Sequence, residues 1–216
     1  IASQTGCSVT TIAKYVSELY AEDILEKGDC LKTNKRGRNP VLYRVKSETY
    51  YFLGVDLKPF ELIIGLMNLT GDMVCIERIT DFRFENTHNK LDVICTHISQ
   101  FMLKFQSPHA GKIGRVNSHL GTSATIFNFE ETREVPLTLL LNERLGIPVF
   151  IENDTKAMAY GEYVSENNAS QENVIYVNIG WGLGLCIIIN GEIYYGKDGY
   201  SGEFGHIHMY ENNVMC

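Results

Sequence analysis

The sequence predicts an α/β protein carrying a small basic head. Three observations lead there. Two apolar stretches, Glu61–Asn68 and Met73–Ile79, flank Thr70-Gly71-Asp72, which is a hairpin turn signal. Residues 91–105 place apolar side chains at 91, 94, 95, 98, 101, 102 and 105, the period of a helix facing a core. Pro148–Ile151 reads as a buried strand running into Glu152-Asn153-Asp154, with helix-forming residues directly after it. A carboxylate at the end of a strand, beside a helix start, is where open α/β sheets place ligand chemistry.

Composition sets the class. With 216 residues, 44% hydrophobic and 21% charged, the chain can bury a sizeable core. Its apolar runs are too short to span a bilayer, so no membrane partner is expected. The six cysteines are scattered without a CxxC pair, which fits buried free thiols and a cytoplasmic location. Charge is uneven. Eight Lys and Arg stand against five Asp and Glu in residues 1–46, a local +3 that leaves −10 for the rest of a chain whose net charge is −7. A basic head on an acidic body suggests that the two meet different partners.

The head comes first in the chain. Ile1–Gly6 reads as a helix end with a glycine stop, and Ser8 can cap a second helix carrying Val9, Ile12, Ala13, Val16, Leu19 and Tyr20 at helical spacing. Two helices around a turn with glycine fit a helix-turn-helix whose first helix is absent. Its second helix would present Ser8, Thr10, Thr11, Lys14 and Tyr15 to the major groove. Strand-forming residues at 24–29 and 40–45 enclose the basic loop Lys32–Asn39, the pattern of a wing, where Lys35, Arg36 and Arg38 would contact phosphate or the minor groove. A small helical adaptor with a solvated charge cluster is the plainer alternative.

The body follows. Tyr50–Asp56 is a strand ending on a carboxylate, and the Thr-Gly-Asp hairpin comes next. Between 107 and 121 the pattern frays. The stretch is too short for the expected strand, as though residues were missing near Ile113–Gly114. Pro136–Leu145 reads as a helix stopped by Gly146. After Asp154, residues 155–164 form a helix with alanines and Gly161 on one face, suited to close packing. Asp154 itself could be a general base, a hydroxyl acceptor or the helix N-cap.

Two strands, Asn173–Ile179 and Leu185–Asn190, surround Gly180-Trp-Gly-Leu-Gly184. That motif could cradle phosphate through backbone N–H groups or form a tight hairpin; the strand after it argues against a dinucleotide fingerprint. Asn190-Gly191 is a second hairpin turn. Gly199-Tyr-Ser-Gly-Glu-Phe-Gly-His206 is a glycine-rich loop delivering one carboxylate and one imidazole. His206, His208 and Cys216 are metal-ligand types, but three residues do not close a structural zinc site.

Taken in order, these pieces resemble the repressor/ORF/kinase (ROK) family of actin-like sugar kinases and sugar-responsive repressors. The residues that carry it are Gly37-Arg38-Asn-Pro40, Gly54-Val-Asp56, Gly146–Asp154 with Ala157, Ala159 and Gly161-Glu162, the glycines 180, 182 and 184, Asn190-Gly191, and Gly202-Glu203-Phe-Gly-His206. The resemblance implies a winged helix-turn-helix head at 1–46, a first actin-like lobe at 47–152, and an incomplete second lobe from 153 to 216. By the same resemblance Asn153, Asp154, Glu203 and His206 contact a sugar or sugar phosphate bound between the lobes, Asp154 being the catalytic base in kinase members. His206 and Cys216 match two ligands of the family's structural zinc, the remaining cysteines falling beyond this sequence.

Departures from the family pattern narrow the function. Kinase members carry Asp-x-Gly-Gly-Thr where this chain has Asp56-Leu-Lys-Pro-Phe60, so Pro59 removes a donor and Lys58 resists glycine-only angles. Trp181 stands where kinases have a small threonine. With both phosphate loops altered and the sugar motifs intact, the expected function is a sugar-responsive regulator, a repressor of operator DNA, without ATP. A homodimer or higher homo-oligomer is expected from helix-turn-helix geometry. An ATP-dependent sugar kinase using Asp154 is the alternative.

Overall fold

Local sequence signals account for most of the elements. The computed structural model describes residues 1–30, 41–58, 60–80, 90–105, 136–165, 172–180, 182–197 and 199–206, with residues 29, 30 and 206 by backbone alone. They fall into two units: residues 1–105 with 140–149, and 136–139 with residues 150 onward.

The first unit opens with α1 (Ala2–Thr5), closed by Gly6 in the left-handed conformation, and α2 (Val9–Ala21). Ser8 caps α2, its hydroxyl accepting from Thr11 N at 3.1 Å. Strands β1 (Leu25–Cys30) and β2 (Val41–Val45) pair antiparallel beside α2. Tyr20 of α2 meets Tyr43 of β2 edge to face, and the Lys27 ammonium sits 4.8 Å from the Tyr20 ring centre. The apolar stripe of α2 faces a groove of about 460 Å³, lined by Val9, Ile12, Val16 and Tyr20 and by Lys27 and Tyr43.

A short junction ties this region to a three-stranded antiparallel sheet in the order β3 (Tyr51–Lys58), β4 (Glu61–Asn68), β5 (Met73–Ile79). Asp23, in the left-handed region at φ 60°, accepts from the Thr49 hydroxyl at 2.7 Å and pairs with Lys46 at 2.5 Å. Lys46 N donates to Ile24 O, and Leu69 N, just past β4, donates to Ser47 O at 3.1 Å. Alternate residues of β4, Leu62, Ile64 and Leu66, are buried, as are Leu91, Ile94, Ile98 and Phe101 of α3 (Lys90–Lys104). The period of two on the strand and the helical period on α3 thus each select one buried face.

The β4–β5 turn is a polar knot. Asn68 Oδ1 accepts from Thr70 N and Asp72 N, while Asp72 Oδ2 accepts from Thr70 and Asn68. Those bonds, Thr70's first and then Asn68's, hold the Asp72 carboxyl below its ordinary 3.8. A depressed carboxylate contributes stability above its unfolded pKa and loses it as pH falls through the folded one. The gap in urea midpoint between wild type and Asp72→Asn is therefore expected to be constant above about pH 5 and to shrink toward about pH 2. A gap independent of pH would show that the knot does not favour the ionised form.

Helix α4 (Leu137–Leu145) ends on Gly146 at φ 66°. The strand expected at 148–151 is not formed: the segment is irregular, with Pro148 and Phe150 exposed. Pro148 has no N–H to give, and the Val149 N–H is taken by the Asn142 side chain, so neither joins a ladder.

The second unit packs α5 (Asp154–Ser165) on the sheet β6 (Asn173–Ile179), β7 (Leu183–Ile189), β8 (Glu192–Ile193). Ala159, Cys186 and Ile188 form its core, with Tyr163, Val174 and Tyr176 around them. The packed face of α5 is Thr155, Lys156 and Ala159; Ala157 and Gly161, expected on the close-packed face, are exposed. Cys95 and Cys186 are buried and outside any disulfide, and burial pushes the Cys186 thiol up. No helix of the described residues is long and apolar enough to cross a membrane.

Candidate functional site

The start of α5 resolves the ambiguity at residues 152–154. Asn153, not Asp154, is the cap: its Oδ1 accepts from Lys156 N at 3.1 Å, and its carbonyl accepts from Ala157 N at 2.9 Å. Asp154 is the first helical residue, exposed, its Oδ1 accepting from Thr155 N at 2.6 Å. Capping by the neighbour leaves this carboxylate at the helix entrance in reach of a ligand, where the aligned N–H dipoles favour negative charge. Glu152 turns the other way: one oxygen accepts from Asn153 N and the other from the Tyr195 hydroxyl at 2.7 Å. Burial first, and that bond second, raise Tyr195, so the phenol stays protonated as donor.

Glycines bring the second carboxylate to the same end of the β6–β7 hairpin. Strands β6 and β7 form a tight hairpin, Ile179 pairing with Leu183 and Gly180 N bonding Gly182 O. At Gly184 an added Cβ would lie 2.2 Å from Thr155 Oγ1, so the start of α5 presses directly on β7. The loop after β8 docks one residue further on: Leu185 N donates to Gly202 O at 3.2 Å, and Gly202, at φ +90°, could carry no Cβ without meeting Leu185 O at 1.8 Å. Glu203 follows, exposed, and leads into a 3-10 turn at Phe204–His206. Two exposed carboxylates and the Asn153 amide thus stand around one hairpin end, two acceptors and an amide donor suited to a polyhydroxylated ligand. The His206 side chain, Trp181, His208 and Cys216 lie outside the described side chains.

In the first unit, Asp56 and Lys58 sit within β3, paired with Ile63 and Glu61 across the hairpin. The Lys58 ammonium is 3.4 Å from Asp56 and 3.5 Å from Glu61. Residues 56–58 are thus committed to a ladder and an internal ion pair, not to an open loop. In α2, the Ser8 hydroxyl lies 2.8 Å from those of Thr10 and Thr11, Lys14 pairs with Glu18 at 3.7 Å, and Tyr15 is exposed. Lys35, Arg36 and Arg38 lie outside the described residues.

Residues 53–216 match the ROK family. The chain belongs to the ROK family. The xylose repressor of Bacillus subtilis is 28% identical over 223 residues, covering 100% of this chain and 57% of the repressor. A glucokinase from Streptomyces coelicolor is 38% identical over 170 residues, covering 76% of this chain and 51% of the kinase. In three dimensions the chain is similar to a ROK family transcriptional regulator, a homologue of the Escherichia coli Mlc protein, at TM-score 0.77 and 24% identity, over 100% of this chain and 56% of that one. The mixed α/β fold is therefore that of the ROK family, and the chain spans about half the length of the curated relatives it matches.

Within the ROK framework, sequence reasoning missed Thr155, Lys156 and Tyr195. Positions 156, 159 and 163 share a helix face, and a lysine among those core positions was the available signal. No group of three or more His, Cys, Asp or Glu among the described residues could hold a metal, and the two expected zinc ligands fall outside the described side chains.

Proposed function

We propose that the protein is a sugar-responsive transcriptional repressor. The observation that carries it is coverage: similarity to the xylose repressor extends over the entire chain, whereas the family match begins at residue 53 and the glucokinase covers 76%. On this reading residues 1–46 form a winged helix-turn-helix, residues 47–152 a first actin-like lobe and residues 153–216 the start of a second. Ser8, Thr10, Thr11, Lys14 and Tyr15 face operator bases and phosphates, and Lys35, Arg36 and Arg38 form the basic wing. A sugar or sugar phosphate binds at Asn153, Asp154, Glu203 and His206. His206 with Cys216 and further cysteines supplies a structural zinc site that steadies the loop after Glu203. The protein works as a homodimer or higher homo-oligomer on a palindromic site.

The glucokinase relative and the retained Asp154 favour a second reading, an ATP-dependent sugar kinase. Against it, Lys58 fills the neighbourhood of Asp56 and the hairpin replaces a glycine loop.

The test uses full-length protein and random-sequence duplex selection. Selected DNA is expected to bind with strong salt dependence, and D-xylose or D-glucose, the sugars of the relatives' names, is expected to shift that affinity. Replacing Lys14, Arg36 and Arg38 by alanine should flatten the salt slope by about one for each phosphate no longer neutralised. Sugar phosphorylation by ATP, with no sugar effect on DNA binding, would establish the kinase instead.

A further inference from the structure

Lys156 has no part in the ligand set above, and its setting is unusual for a lysine. It is 3% exposed, although lysine is almost never fully buried without a partner. Its ammonium donates to Gly199 O at 2.5 Å and lies 5.4 Å from the centre of the Tyr195 ring. Gly199 begins the loop that carries Glu203, and Tyr195, which precedes that loop, is itself bonded to Glu152. At its other end Lys156 is bonded to the cap, its backbone N–H donating to Asn153 Oδ1.

One residue is therefore joined through its backbone to Asn153 and through its side chain to the Glu203 loop. The bond from Glu203 N to Tyr200 O is internal to the loop, and Ser201 N donates to Tyr195 O at its foot. The bonds from Lys156 and from Leu185 tie it to the helix and to the sheet. A buried charge-assisted bond is the stronger kind, and holding a cation in such a place is costly unless the bond is made.

We propose that Lys156 is a positioning residue of the sugar site, a buried latch fixing the Glu203 loop against the helix terminus that carries Asn153 and Asp154. The proposal rests on the sugar-site reading above. Preorganised acceptors bind more tightly because the ligand need not order them.

Full-length protein with Lys156→Met, which keeps length and loses charge, and Lys156→Arg, which keeps charge, tests it with two readouts. These are amide hydrogen exchange over residues 196–206 without sugar, and calorimetric affinity for D-xylose and D-glucose. The methionine variant is expected to exchange faster across 199–203 and to bind sugar about tenfold more weakly or worse, with arginine recovering part of both. Should methionine prevent folding, Lys156→Gln carries the same readouts. Unchanged exchange overturns the latch, whatever the affinity does. Faster exchange with unchanged sugar affinity overturns the positioning role. If wild type binds neither sugar, the sugar-site reading fails for these sugars, and exchange alone then decides the latch.

Discussion

Replacing Asp154 with asparagine is expected to weaken effector-sugar binding by roughly 10- to 150-fold, the worth of one charge-assisted hydrogen bond of about 1.5–3 kcal/mol. The fold should hardly notice. Asp154 is exposed, Asn153 already caps α5, and an asparagine carbonyl can still accept from Thr155 N. Unfolding free energy should stay within about 1 kcal/mol of wild type, the worth of an exposed charge at a helix N-terminus. Titration calorimetry and urea melts on the same preparations separate the two quantities. Equal sugar affinity in Asp154→Asn would remove this carboxylate from the site. A large loss of stability would show that it works as a structural group. The same variant also divides the two functional readings, because any sugar phosphorylation by ATP should vanish with it if Asp154 is a base.

The second large effect concerns the fold. Gly202→Ala should destabilise the second unit by about 2–6 kcal/mol, from left-handed backbone strain and overpacking together. At φ +90° the new Cβ would be placed 1.8 Å from Leu185 O, a backbone atom with no side-chain freedom to yield. Gly199→Ala is the control. It has a similar φ of +84° and open space around it, so it carries the strain alone, about 1–3 kcal/mol. Comparable urea midpoints for the two variants would refute the close approach of loop and strand.

What the sequence disclosed was what neighbours along the chain decide. Gly6, the Ser8 cap, the apolar period of 91–105 and the Asn190-Gly191 turn are local signals, and each element forms where its signal lies. Strand pairing is not local. Pro148–Ile151 has strand composition, yet the Val149 N–H is claimed by Asn142. Asn153 and Asp154 are equally good caps by residue type, so composition could not tell which one accepts from the helix. The Lys156 bond was invisible for the same reason, since its acceptor lies 43 residues away. In the family motifs, Asp154 and Glu203 were legible because glycines at 184, 202 and 205, each pressed on a neighbour, leave little choice of residue.

The junction at residues 46–49 bears on how an effector signal could leave the body. Thr49 is 5% exposed and bonded to Asp23 at the foot of α2, while Ser47 is bonded to the end of β4. Such a connection would act as a gear tooth, not a tether. A 13-residue helix is about 20 Å long, so a tilt of about 5° in the sheet would sweep the tip of α2 through nearly 2 Å, more than half the length of a hydrogen bond to a base. If α2 reads operator DNA as proposed above, a few degrees in the sheet would be enough to spoil its register there.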